Sequence, residues 1–190
     1  MAHHFTEPSR LLRWGYRYLY DPLRAGYLRR LVASLGLSGS ERVLDFGSGA
    51  GSEAIYLARA LDRGGRLTCL DVSPTWLTEA RRRLSGFGNV TFLQGEAPDV
   101  GLPPGGFDLV WAHYVLHDVD RAALPAVLEA LAHSLAPTGR FVVVEPSTTR
   151  HGPSVDEIRR LLRQTGLIES VNEPIRAFGG QARQMRYRHS

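Results

Sequence analysis

Apolar and polar residues follow a regular order along the chain after residue 40. Short apolar runs, typical of buried strands, come in turn with longer segments whose apolar positions recur at helical spacing. Five strands are predicted over residues 42–46, 66–71, 90–94, 107–111 and 140–145. Helices are predicted over residues 52–61, 73–84, 121–135 and 154–165. Because strands and helices alternate, we expect a doubly wound α/β fold with helices on both faces of a mostly parallel sheet.

The two ends of the chain are predicted to add a C-terminal hairpin and an N-terminal helical segment to this fold. Two weaker strands, over about 167–172 and 182–187, are separated by Gly179-Gly180 and predict a hairpin at one sheet edge. Before the sheet, residues 9–35 form an aromatic-rich helical segment, and Asp21-Pro22 is expected to interrupt it. We divide the single compact domain into an N-terminal helical cap or lid, residues 1–38, and a core, residues 39–190.

Composition excludes several classes of protein. The chain has 190 residues, of which 43% are hydrophobic and 22% charged, as expected for one globular domain. No apolar run approaches the roughly 20 residues that cross a bilayer, and no signal-peptide pattern is visible, so a cytoplasmic location is the default expectation. Cys69 is the one cysteine, which excludes an internal disulfide and a cysteine-rich zinc site. It lies in an apolar run and is interpreted as a buried structural thiol.

The net charge of +4 rests entirely on arginine, since none of the 23 basic residues is lysine. The arginines are scattered over the polar faces of predicted helices, where charged side chains are usually just solvated. This distribution alone does not indicate nucleic-acid binding. A small-molecule partner is therefore favoured over a nucleic acid, and the protein is expected to be a monomer or a homodimer.

Candidate chemistry begins at the turn after the first strand, residues 45–51, where three glycines alternate with small residues. Glycine lets the backbone approach a ligand closely, and ligands of parallel sheets bind at this edge. Dinucleotide-binding turns favour Gly-x-Gly-x-x-Gly, whereas this turn has Gly-x-Gly-x-Gly after an acid. Asp45 would repel a pyrophosphate but suits an ammonium group. Asp71, which ends the next strand, can accept ribose hydroxyls. The alternative is a turn that serves topology alone.

These motifs, in this order, resemble those of the class I S-adenosylmethionine-dependent methyltransferases over about residues 42–145. The acid-x-Gly-x-Gly-x-Gly motif and the acid at the end of strand two are both matched. Further matches are Gly95-Glu96-Ala97, the segment 107–113, and the turn 135–139, in which a threonine replaces one glycine. The resemblance implies a Rossmann-like, seven-stranded, mostly parallel sheet with a C-terminal antiparallel hairpin strand.

The resemblance also implies which residues hold the methyl donor, S-adenosylmethionine, and its product S-adenosylhomocysteine. Asp45 and the turn hold the methionine end, and Asp71 holds the ribose. Val72 packs on the adenine, and Glu96 accepts the adenine amino group. The residues assigned to cofactor binding are Tyr20, Asp45, Gly47, Ser48, Gly49, Asp71, Val72, Glu96, Ala97 and Ala112.

Catalysis requires few special groups, because the donor is already activated and the protein mainly positions two reactants away from water. His113, after strand four and at the mouth of the expected site, is the candidate base if the acceptor must lose a proton; its alternative role is to shape the pocket. Tyr114 either forms a hydrogen bond with the acceptor or has only a packing role. His117 is expected to be structural, since this chain has His117-Asp118 where relatives often have two histidines.

The N-terminal segment has two interpretations. It either caps the sheet or closes over the donor as a lid, and Tyr20-Asp21 resembles the closing segment of relatives. In the second case Arg17, Arg24 and Arg183 are candidates to meet an anionic acceptor.

The sequence favours a methyltransferase that acts on an O, N, S or C atom of a small molecule, with no bound metal. Motifs of DNA amino-base and cysteine-dependent pyrimidine methylases are absent. The alternatives are methylation of RNA or protein, a cofactor-binding module without catalysis, and a nicotinamide-dependent oxidoreductase, against which the turn and Glu96 count. The acceptor itself is not specified by any motif.

Overall fold

A single seven-stranded sheet organises the protein. The computed structural model describes residues 9, 15, 19–149, 152–177 and 180–190. The strands are β1 Arg42–Phe46, β2 Arg66–Asp71, β3 Val90–Gln94, β4 Phe107–His113, β5 Leu135–Pro146, β6 Ile168–Ala177 and β7 Gly180–Arg188. The helices are α1 Asp21–Ala33, α2 Ala54–Ala60, α3 Pro74–Arg83, α4 Leu124–Ser134 and α5 Val155–Gln164, with a 3₁₀ turn at Leu116–Asp118.

The strand order is β3-β2-β1-β4-β5-β7-β6. Strands β1 to β5 are parallel, and β7 runs antiparallel between β5 and β6. The predicted C-terminal hairpin at the sheet edge is therefore confirmed. Strand order reverses between β1 and β4, which is where a crevice opens at the carboxyl ends of the strands in a doubly wound sheet.

Both faces of the central strands β1, β4 and β5 are buried, which explains why these strands are rich in continuous apolar runs. Neighbouring residues of β1 point to opposite sides: Leu44 joins the core beneath α4 and α5, whereas Val43 joins the core beneath α1, α2 and α3. Phe141 of β5 lies in the core beneath α4 and α5, and Trp111 of β4 lies in the core beneath α1, α2 and α3. Cys69 is buried in the second core, as predicted.

The predicted starts of α4 and β5 are wrong, and β6 and β7 are longer than predicted. Helix α4 begins at Leu124 rather than at residue 121, with Pro125 in its first turn, where a proline needs no amide hydrogen. The predicted turn at residues 136–139 lies within β5. There the register jumps, since Phe107 pairs with Leu135 while Leu109 pairs with Arg140. The proline and glycine of this segment thus form a bulge in the strand instead of a loop before it.

Helix α1 begins at Asp21, after Leu19 and Tyr20 in a π-helical turn, and Pro22 lies in its first turn. The predicted interruption at Asp21-Pro22 thus coincides with the start of α1. Trp14 and Tyr16 to Tyr18 lie outside the described residues, and the division of the chain at residue 38 stays a prediction. In the described ranges, no helix combines the length and apolar character needed to cross a membrane.

Helix α3 starts at the predicted cap. The Ser73 Oγ accepts a hydrogen bond from the Trp76 amide at 3.1 Å, and Pro74 occupies the first helical position. Replacement of Ser73 with alanine leaves that buried amide unpaired, so we expect a loss of about 1 kcal/mol in the free energy of unfolding. Urea denaturation measures this loss. Ser85→Ala, at an exposed site past the end of α3, is the control; equal effects of the two changes would contradict the capping role.

Candidate functional site

A cavity of about 240 Å³ opens at the carboxyl edge of the sheet, beside the reversal between β1 and β4. It lies among the glycine-rich turn, the ends of β2 to β4 and the first turns of α1. Eight residues predicted from the sequence line this cavity: Tyr20, Gly47, Ser48, Gly49, Asp71, Val72, Glu96 and His113. The structure thus brings most of the predicted site together around one space.

Three predicted contacts, Asp45, Ala97 and Ala112, do not line the cavity. Ala97, in the turn after β3, and Ala112, within β4, are at most 1% exposed and belong to the hydrophobic core. They support the wall from behind and do not form its surface. The assignment of these two alanines to cofactor binding stays a prediction.

Asp45 is also buried, at 2% exposure, yet its Oδ2 has no hydrogen-bond partner among the described residues. Burial raises the pKa of this carboxyl well above its usual range, and the nearby charges of Glu53 and Asp71 raise it further. An unpaired buried carboxylate oxygen is costly, so a donor group from a ligand would relieve it. The ammonium group of an amino acid, as in S-adenosylmethionine, has the chemistry that fits.

The glycine-rich turn is held tightly between its neighbours. The amides of Gly47 and Ser48 both donate to the Leu70 carbonyl at the end of β2, at 2.8 and 3.1 Å. Gly47 has a φ of +73°, and a Cβ at this position would lie 2.2 Å from Cγ2 of Val115. Only glycine therefore fits between β2 and the loop that follows β4.

Asp71 connects this turn to the next helix. Its Oδ2 accepts from the Gly49 amide at 2.7 Å, and its Oδ1 accepts from the Ser73 amide at 2.8 Å. Burial raises the pKa of Asp71, although the two amides act in the opposite direction. Each carboxylate oxygen has a second lone pair, so Asp71 can still accept two ribose hydroxyls. Beside it Val72 is 37% exposed, a flat apolar surface at the edge of the cavity.

A polar chain that the sequence did not reveal joins α1 to β4. The Nδ1 of His113 lies 2.9 Å from Oε1 of Glu53, and its Nε2 lies 3.3 Å from the Tyr27 hydroxyl. The side chain of His113 is 1% exposed and stacks between Trp111 and Tyr114. The histidine borders the cavity but is not at its mouth, and both ring nitrogens are engaged. This geometry favours the pocket-shaping role over that of a general base.

Glu53 is a charged site residue that the sequence analysis missed. It precedes α2, lines the cavity and also contacts Arg24, whose Nη2 lies 3.3 Å from Oε1. Burial alone would raise the pKa of Glu53, but the neighbouring His113 and Arg24 outweigh it and lower the pKa. Its one sequence signal is an acid two residues after the last glycine of the turn, at the start of a helix that packs on the sheet.

A second polar cluster fixes the start of α1 over the turn. The Oγ of Ser52 donates to Oδ1 of Asp21 at 2.7 Å, and Arg83 contacts both residues at 3.1 and 2.6 Å. The guanidinium of Arg24 lies 4.7 Å from the centre of the Tyr20 ring. Through these contacts α1 forms one wall of the cavity.

The opposite wall is the loop after β4, which is clamped by Glu145 at the end of β5. The buried Glu145 accepts from the amides of Val115 and Leu116 at 3.1 and 2.8 Å, and its Oε2 lies 2.5 Å from Nδ1 of His117. Tyr114, ahead of the clamp, has a φ of +56°, a costly conformation for a residue with a side chain. His117 ties the loop to β5 and does not line the cavity, in agreement with the structural role expected for it.

Of the other candidate residues, Tyr114 lines the cavity and Arg183 does not. Tyr114 and Val115 line the cavity, and the following segment adds both apolar and acidic side chains, those of Asp118, Val119, Asp120 and Ala123. Arg183 donates to Asn172 Oδ1 at 2.7 Å and does not line the cavity, so it is not in reach of an acceptor there. Arg17 lies outside the described residues.

Comparisons with known proteins agree with this arrangement. The family model described as "Methyltransferase domain" matches residues 43–139, a little over half of the chain. The chain is 32% identical over 114 residues to uncharacterized methyltransferase sll0829 of Synechocystis sp., covering 60% of this chain and 51% of the relative. It is 33% identical over 126 residues to a demethylmenaquinone methyltransferase of Tropheryma whipplei, covering 66% and 50%. The chain spans about half the length of these curated relatives.

Among solved structures, the fold matches that of 1,6-didemethyltoxoflavin-N1-methyltransferase from Burkholderia thailandensis, which was crystallised with its substrate and S-adenosylhomocysteine. The TM-score is 0.69 at 20% identity, over 94% of this chain and 85% of that one. At this identity the likeness shows the fold alone, whereas the family model covers the glycine-rich turn and the ends of β2 to β4. The chain therefore belongs to the class I S-adenosylmethionine-dependent methyltransferases.

Proposed function

We propose that the protein transfers the methyl group of S-adenosylmethionine to a small-molecule acceptor by in-line displacement. The observation that carries this proposal is the cavity at the strand ends, where Asp71 borders the space and the unpaired Asp45 oxygen lies just behind it. When bound, the donor supplies an activated methyl group on a sulfonium. The chain's own residues have to bind, orient and exclude water.

The binding roles follow from position and chemistry. Asp45 and the glycine-rich turn would hold the amino-acid end, and Asp71 would accept the ribose hydroxyls. Val72 offers an apolar face for the adenine, and Glu96, on the same side of the cavity, would accept the adenine amino group. The polar chain around His113 fixes the wall of the cavity, and Glu53 and Tyr27 engage both ring nitrogens of this histidine.

A small acceptor is supported by the shape of the site. The cavity is walled by α1 on one side and by the Tyr114–Val115 loop on the other. A folded RNA or a protein segment would need a more open approach. The names of the relatives from Tropheryma whipplei and Burkholderia thailandensis also specify small molecules.

Isothermal calorimetry on the purified chain tests the donor. We expect saturable binding of S-adenosylhomocysteine and no heat with NADH, because the turn and Asp45 disfavour a pyrophosphate. Binding of NADH alone would support the oxidoreductase alternative. If neither ligand binds, the enzymatic proposal fails.

The ribose assignment predicts a large effect for Asp71→Ala. The change removes a carboxylate that would accept both hydroxyls and also frees the Gly49 amide. We expect the affinity for S-adenosylhomocysteine to fall by about 10- to 100-fold, the usual effect of losing hydrogen bonds to a charged group. The exposed Asp99→Ala serves as the control, with unchanged affinity. Full retention of affinity in Asp71→Ala would contradict the assignment.

A further inference from the structure

Two leucines at the start of α1 are exposed to solvent. Leu19 is 58% exposed and Leu23 is 71% exposed, the highest values among the large hydrophobic residues that the structure describes. Each directly precedes a residue that lines the cavity, Tyr20 and Arg24. Single exposed leucines are normal on a protein surface, but side chains four residues apart in a helix lie side by side. The two leucines therefore form one apolar patch beside the cavity.

Positive charge continues the same face of α1. Leu23, Gly26 and Arg30 follow one another at spacings of three and four residues, so they lie along one side of the helix. Arg30 is exposed. A Cβ placed on Gly26 would lie 3.7 Å from Nη1 of Arg30, so the guanidinium reaches back along α1 towards Leu23. The face thus combines apolar side chains with a cation.

Negative charge is absent from this face. Asp21 is the one acid in residues 19–33. Its side chain is 14% exposed and is held inward by Ser52 and Arg83, at 2.7 and 2.6 Å. The outer side of the helix therefore presents no group that would repel an anionic surface.

The sequence before α1 has a matching composition. Residues 10–18 contain three arginines, one tryptophan, two tyrosines and two leucines, and no acid. Arginine together with tryptophan, tyrosine and leucine is the composition of segments that bind at the interface between a membrane and water. The composition of this segment therefore agrees with the chemistry of the exposed face of α1.

A membrane fits this face better than a protein partner does. A specific protein interface buries about 800 Å² on each partner, far more than two leucine side chains offer. A peripheral membrane contact needs only a few apolar side chains at the level of the headgroups, together with positive charge that attracts anionic lipids.

We propose that the exposed face of α1, formed by Leu19, Leu23 and Arg30, binds the surface of an anionic lipid membrane. The opposite side of the cavity carries the exposed Asp118 and Asp120, which such a surface would repel. The contact is therefore made by α1 alone, with the cavity beside it. This inference goes beyond the proposed methyl transfer and does not depend on it.

Flotation with lipid vesicles tests the contact. We expect the wild-type chain to bind vesicles of equal parts phosphatidylglycerol and phosphatidylcholine, to bind much less to phosphatidylcholine alone, and to be released by salt. Leu23→Ser and Arg30→Gln are each expected to weaken binding about 5-fold. Ile168→Ser, 47% exposed at the start of the edge strand β6, and the exposed Arg63→Gln are the matched controls with unchanged binding.

Three outcomes would overturn the proposal. The wild-type chain could fail to bind the anionic vesicles, or it could bind phosphatidylcholine equally well. Equal losses in the α1 variants and in their controls would mean that the net positive charge of the whole chain attracts the lipid. A dimer in gel filtration that Leu23→Ser converts to a monomer would assign this face to a contact between two copies instead. Calorimetry with S-adenosylhomocysteine shows that each variant is folded, and failure of the wild type to bind this ligand refutes only the proposed function.

Discussion

Replacement of Gly47 with alanine is expected to destabilise the protein by about 2–4 kcal/mol and to weaken donor binding at least tenfold. Two separate costs combine. The backbone φ of +73° is unfavourable for any residue with a Cβ, and the added methyl would lie 2.2 Å from Val115 Cγ2. Relief of that contact requires movement either of the glycine-rich turn or of the loop that forms the opposite wall. Either movement displaces groups that line the cavity.

Gly64→Ala separates the two costs. Gly64 has a φ of +87°, but no atom lies within 4 Å of the position that its Cβ would take. This variant carries only the conformational cost, about 1–2 kcal/mol, and is expected to keep full affinity for S-adenosylhomocysteine. Thermal unfolding and calorimetry measure both quantities. If Gly47→Ala matched Gly64→Ala in stability and in affinity, the close approach of Val115 would have no functional consequence.

The sequence predicts the first half of the sheet to the residue, with β1, β2 and β3 at the expected bounds. Buried parallel strands are apolar on both faces, so their runs have sharp ends at charged residues and glycines. The start of β5 could not be predicted in this way. The Pro137-Gly139 segment has the composition of a turn, and only pairing with β4 shows that the strand passes through it.

In the candidate site, too, features set by neighbouring residues in the sequence are predicted, whereas features set by tertiary packing are not. Local motifs predict Gly47 and Asp71, and both line the cavity, because each lies at a strand end or turn that its neighbours in sequence define. The chain of contacts from Arg24 through Glu53 and His113 to Tyr27 was not found. Tyr27 and His113 are 86 positions apart, and their contact depends on how α1 docks on α2 and β4. No periodicity or composition encodes that docking.

Glu145→Ala is expected to cost about 3–5 kcal/mol of the free energy of unfolding, because it removes the partner of three groups at once. The carboxylate is fully buried and accepts from two backbone amides and the ring of His117. Without it the loop after β4 loses the contacts that hold Tyr114 at positive φ, so donor affinity should fall as well. Urea denaturation measures the loss, and the exposed Glu129→Ala is the control, within about 0.5 kcal/mol of the wild type.

The contact between Glu145 and His117 predicts how the free energy of unfolding depends on pH. Partial burial alone would lower the pKa of His117, but the hydrogen bond and charge of Glu145, with Asp118 nearby, raise the pKa above its ordinary value. Protonated His117 therefore adds stability that is fully present below its unfolded-state pKa of about 6.5 and is lost as the pH rises through the higher folded-state value. We expect the stability difference between the wild type and His117→Gln to shrink over this range, and the difference between the wild type and Ser85→Ala, which changes no titratable group, to stay constant. A difference that grows with pH would mean that Glu145 binds the neutral ring, and the clamp on the cavity wall would then be held by the two amides alone.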